Sequence, residues 1–222
     1  MIPRSRLLLG ATFVALAAAL ACSDMVSPTR GTRYDWRLIV DYDSAGPRLD
    51  TLSFHWPRNR LPVRIWVEDS LELPSRVREG IALWKGALLY GEWDGVLVSD
   101  SATADVIVRL TQPPPQIPIR LAGRVLSCSG ATDVDTVGTR FELAVPVRAY
   151  IFPTIPGAAD LTQCLRTVAA HELGHTLGLF QHSSDSLDLM FSEPTARFLT
   201  ERDVGTITNA YHFTADMFPV GP

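Results

Sequence analysis

Cysteine is scarce: Cys22, Cys128 and Cys164 are the only three, and none stands at CxxC spacing, so a cysteine-ligated zinc site has no support. Basic charge is not concentrated either. The formal net charge is −4 and no Lys/Arg cluster interrupts the chain, which argues against nucleic acid as a partner. No apolar run reaches the ~20 residues a membrane-spanning helix needs. The longest, residues 7–21, follows Arg4 and Arg6 and ends in Ala19-Leu20-Ala21, an A-x-A cleavage pattern. Residues 1–21 are therefore read as a signal peptide. Its removal takes away two arginines and no acids, so the charge of −4 becomes −6.

The segment ending in Ala19-Leu20-Ala21 before Cys22 also resembles a bacterial lipobox, in which Cys22 is lipidated and becomes the new N-terminus. Both outcomes are extracytoplasmic, as a secreted protein or as a membrane-anchored lipoprotein touching the membrane only through that anchor. Export would place Cys128 and Cys164 in an oxidising compartment, where they are candidates for one disulfide; two buried thiols are the alternative.

With 46% apolar and 20% charged residues, the remainder has the composition of an ordinary globular domain, and its length suits one domain plus an extension. Residues 22–50 read as a tether and N-terminal extension, with a β-like run at 34–40, and residues 51–222 as the main domain. LPVRIWVED (61–69) alternates as a strand. Residues 74–90 carry Val77, Ile81, Trp84 and Leu88 on one helical stripe, with Pro74 in the first turn. Residues 95–98 and 104–110 are further strands. TQPPPQIPIR (111–120) is too rich in proline for regular structure. A short strand is expected at 123–127, and one strand, or two joined at Pro146, at 141–152. Asp160 and Gln163 stand at capping-box spacing before a helix to about residue 177, and Thr200 and Asp203 before a final helix to about 211.

Three of the five histidines fall within HELGHTLGLFQH (171–182). On a helix His171 and His175 differ by ~40° in direction and ~6 Å in height, so both imidazoles reach one ion. Glu172 lies ~100° round, beside a metal rather than on it, where a general base belongs. Gly178, one turn on, has no Cβ and can turn the chain out of the helix so that a third ligand returns. An i, i+4 histidine pair can also be ordinary core, but here a helix-ending glycine, a third histidine and a methionine follow it.

These residues resemble the metzincin clan of zinc endopeptidases, and within it the matrixins. HELGHTLG (171–178) matches the clan pattern HExxHxxG, and HSSDSLDLMF (182–191) is similar to the matrixin continuation, with Met190 as the methionine of the turn. LPVRIWVED, the Trp84 helix, ADVIVRL and LTERDVGTITNAYHF look like the family's first strand, first helix, third strand and last helix. The resemblance implies an α+β, zincin-like (metzincin) fold: a twisted mixed sheet, an active-site helix, a second packing helix and a C-terminal helix. The upper part would reach Gly178 and the lower part span 179–222.

It further implies one catalytic Zn²⁺ held by His171, His175 and His182, with Met190 as an apolar floor beneath them. Glu172 would take the proton of a metal-activated water as it attacks a peptide bond. One residue more separates Gly178 from His182 than the clan pattern has, so Gln181 occupies the counted position. Imidazole binds zinc well and a Gln amide poorly, which favours His182, with Asp185 in reserve. No cysteine-switch motif and no histidine-rich loop for a second zinc is found. The acids of ATDVDTVG (131–138) are a calcium candidate without further support, and a solvated loop is the expected reading. His55 and His212 have no ligand spacing.

Cys164, ~10 Å along the helix from His171, is placed to staple it to the Cys128 segment. Substrate would lie extended along an edge strand, for which residues 141–152 are the candidate. The expected protein is thus a monomeric zinc endopeptidase acting on proteins or peptides. The alternative is a non-catalytic, surface-anchored zinc-binding module.

Overall fold

The computed structural model describes residues 33–41, 49–115, 120–124, 127–136 and 141–221. The signal peptide expected at 1–21, Cys22 and the first part of the tether lie outside the described residues, as do the last two residues of the acid-containing stretch 131–138.

Alternation of β-branched and polar side chains produces the strands that build the main sheet. In β3 (Val63–Val67) Val63 and Ile65 are buried while Arg64 and Trp66 face outward. β4 (Gly95–Val98) and β5 (Val106–Arg109) pair with β3 in parallel. Between β3 and β4 runs α1 (Leu73–Ala87), with Pro74 in its first turn and Val77, Ile81 and Trp84 buried on one stripe. It stops at Leu88, short of the expected residue 90.

The rest of the sheet comes from β6 (Arg120–Arg124), β7 (Cys128–Asp133) and β9 (Val147–Pro153), giving the order β4-β3-β5-β9-β7-β6. β9 is parallel to β5, whereas β7 runs antiparallel between β9 and β6. Two short pairs complete the strands: β1 (Leu38–Asp41) antiparallel to β2 (Leu49–Leu52), and β8 (Glu142–Ala144) parallel to β10 (Phe218–Val220).

The sheet departs from the sequence reading in three places. The 141–152 stretch forms two strands, β8 and β9, either side of Pro146, one of the two expected alternatives; but β9 lies inside the main sheet, so it offers no edge for substrate. The strand expected at 123–127 is instead a hairpin-like pair, with β6 beginning at the end of the proline-rich stretch and β7 wholly unforeseen. The acids of 131–138 divide accordingly: Asp133 ends β7, and the neighbouring Val134 is buried.

α2 (Leu161–Thr176) packs across the sheet, buried along almost its full length from Cys164 onward. Asp160 does not cap it; its carboxylate instead accepts a 2.5 Å hydrogen bond from Ser127 Oγ, which ties the start of α2 to the start of β7. A Cys128–Cys164 disulfide joins the same two elements. The indole of Trp84 donates to the Ala170 carbonyl at 2.8 Å and links α1 to α2. α3 (Glu201–His212) opens with the expected capping box of Thr200 and Asp203. Trp36 and Leu38, from the expected extension, share one apolar core with the helices and the main sheet. Among the described residues no helix is long and apolar enough to cross a membrane.

Candidate metal centre

The last turns of α2 carry His171 and His175, both fully buried, and the chain leaves the helix at Gly178 with φ +104°. A side chain there would be strained, and its Cβ would lie 2.1 Å from the Phe54 carbonyl oxygen. The turn brings His182 back over the helix. The Nε2 atoms of His171 and His175 are 3.1 Å apart, those of His175 and His182 3.3 Å, and one ligand atom from each of the three lies within 4.8 Å of the others.

Hydrogen bonding fixes what these nitrogens can do. His171 Nδ1–H donates to the Leu189 carbonyl at 2.8 Å, and His175 Nδ1–H to the Leu179 carbonyl at 2.5 Å. A carbonyl only accepts, so each Nδ1 carries the proton and each Nε2 presents a lone pair. Two lone pairs 3.1 Å apart repel unless a cation lies between them. Burial pushes His171 down to about 3, the Leu189 carbonyl opposing this, and holds His175 well below the usual value, the other two histidines adding to it. His182, less buried, is lowered by burial too. Three neutral imidazoles facing one point are the donor set Zn²⁺ takes, and the site fits that ion.

The loop residues sort themselves by what they touch. Gln181 does not reach the histidines; its side-chain amide donates to the Arg37 carbonyl at 3.2 Å. Asp185 accepts from the Leu187 amide at 3.0 Å and pairs with Arg202, so it is engaged away from the imidazoles. Met190 is fully buried under α2, where Gly174 leaves room for it: a Cβ at 174 would lie 2.4 Å from its sulfur. Buried Asp203 of α3 accepts from the amides of Leu189 and Met190 at 2.8 and 3.4 Å, and so holds the segment whose carbonyl orients His171. His55 and His212 lie elsewhere, His55 against the Tyr211 ring and His212 on Glu92.

Glu172 is buried against β7. Thr132 Oγ1–H donates to its Oε2 at 2.6 Å, and its Oε1 occupies the space a Cβ at Gly130 would need, 2.2 Å away. Neither Thr132 nor Gly130 stood out in the sequence. The available signal was the run of small residues SGAT (129–132), which lets the helix approach the strand closely.

Comparison with family models gives a match to matrixin over residues 132–212, a span running from β7 through α2 to the end of α3. Comparison with curated proteins finds no match. Matrixins depend on zinc, and the matched span contains all three histidines that converge here. Over this span the chain is similar to matrixins, and the three histidines that could hold their zinc lie within it.

Proposed function

We propose that this protein is a zinc endopeptidase of the extracytoplasmic space, with Glu172 as its general base. The observation that carries the reading is the convergence of three imidazole nitrogens, two of them from the helix that also carries the buried carboxylate of Glu172. Zinc at such a site supplies Lewis acidity, which acidifies water and polarises the scissile carbonyl.

The chain's residues do the rest. Glu172 accepts a proton from water as the water oxygen attacks the carbonyl carbon, and delivers it to the nitrogen as the C–N bond breaks. The Thr132 hydroxyl, 2.6 Å from Oε2, holds the carboxylate in one orientation. A cleft lined by Thr167, Ala170, Leu189 and Phe198 opens next to the Leu189 that steadies His171, and would take a substrate side chain. Location rests on the Cys128–Cys164 disulfide together with the leader-like residues 1–21, whether or not Cys22 is lipidated. The main domain is taken as 51–222, its parts meeting at Gly178.

Zinc content and cleavage of casein by the full chain and Glu172→Gln test this. The expected result is one zinc in both, and at least about a hundredfold slower cleavage by the variant. Zinc retained by both with no cleavage by either would hand the site to a zinc-binding module.

A further inference from the structure

The three histidines are not held alike. His171 and His175 each spend Nδ1 on a backbone carbonyl, but His182 Nδ1 has no hydrogen-bond partner among the described residues. The place of its ring therefore depends on where the backbone of residues 178–183 is pinned. On one side Ser183 is tied to the methionine turn: its amide donates to the Met190 carbonyl at 2.8 Å, and its hydroxyl bonds Asp188. On the other side the partner is the N-terminal segment. The Phe180 amide donates to the Trp36 carbonyl at 2.7 Å, and Gln181 Nε2 to the Arg37 carbonyl at 3.2 Å.

That segment is itself well anchored. Trp36 is buried with its ring edge-on to Phe213, 6.0 Å away; the Tyr34 amide donates to Thr206 Oγ1 at 3.2 Å; and β1 pairs with β2. Gln181 also stands where the clan pattern counts the third ligand, one residue before His182, in a loop that is one residue longer than the pattern's. An insertion lengthens a ligand-bearing loop and leaves it more freedom to lose on binding metal. Here the Gln181 side chain reaches out to the backbone just before β1.

We propose that Gln181 is a positioning residue for the third ligand: its amide and the 36–37 backbone form a clasp that holds His182 over the metal, making segment 33–41 part of the metal centre. The proposal rests on the zinc reading above. It predicts that the donor matters at position 181, since the Arg37 carbonyl only accepts. Gln181→Ala and Gln181→Glu lose the donor, whereas Gln181→Lys keeps one.

The test measures zinc affinity of the metal-free full chain by competition with a chromophoric chelator, and the visible spectrum after Co²⁺ loading, which reports ligand number and geometry. Val106→Ala, in the buried middle of the sheet, controls for general loss of stability. The expected result is zinc binding at least about tenfold weaker, with an altered cobalt spectrum, in Gln181→Ala and Gln181→Glu. Gln181→Lys and Val106→Ala should keep the wild-type affinity and spectrum, the latter despite a lower Tm. Wild-type affinity and spectrum in both donor-less variants would overturn the clasp while leaving the zinc site intact. A wild-type chain that binds neither metal would overturn both readings.

Discussion

A Cβ at position 130 would stand 2.2 Å from Glu172 Oε1 and 2.6 Å from Val168 Cγ1. Gly130→Ala therefore has to push the carboxylate, the helix or the strand aside. The expected outcome is a loss of about 1–3 kcal/mol in stability from overpacking, and a fall in kcat larger than that loss of folded protein explains. Denaturant melts beside casein kinetics check this, and unchanged kcat would mean that Glu172 does not work from where it lies. Thr132→Val removes the 2.6 Å hydrogen bond at nearly constant volume, so kcat should fall with little change in KM. At this scale the sequence revealed His171, Glu172 and His175 through helical spacing, and His182 through ligand chemistry. Thr132 and Gly130 were hidden because they meet Glu172 across the sheet, and no local period records a contact 40 residues away. Gln181 was legible as an odd residue, but its partner Arg37 lies 144 residues before it.

Among the elements, the legible ones carry their own period: β3, α1, β5 and the Thr200-capped α3 lie where alternation, a 3.6-residue stripe or a capping box puts them. β7 was missed because its residues, CSGATD, are poor strand formers taken singly. They pair in a sheet because strands on both sides and α2 above fix them, and their small size is what α2 requires. The same neighbours put β9 in the interior, which period-2 reading cannot tell from an edge. Because β7 is so dependent on α2, the Cys128–Cys164 bridge between them should matter more than its count suggests. It closes a loop of 36 residues, and removing it with paired Cys→Ser changes should cost about 3–4 kcal/mol by chain entropy. A melt of the doubly substituted protein within error of wild type would show that packing alone suffices to join the two elements.

Across the whole molecule, metal and fold are coupled through charge. Burial keeps His171 near 3, His175 well below 6.5 and His182 lowered as well, whereas in the unfolded chain all three titrate near 6.5. As pH falls below 6.5 the unfolded state takes up protons that the folded state refuses, so the metal-free protein is stable above this value and weakens beneath it. Each of the two fully buried imidazoles contributes about 1.4 kcal/mol per pH unit well inside that window. Zinc adds to the folded side only, by about 4 kcal/mol at a thousandfold excess over Kd, so chelation should lower Tm and zinc restore it. Inside the fold, protons do not compete with zinc for His171 until near pH 3. His171 and His175 should therefore let go of zinc as the protein unfolds rather than by protonation in an intact site. Zinc release followed with a metal indicator and tertiary structure followed by near-UV circular dichroism should share one midpoint on acid titration. Release at a higher pH than the loss of tertiary structure would mean that the histidines titrate within the fold, and that the buried centre is more open to water than its packing implies.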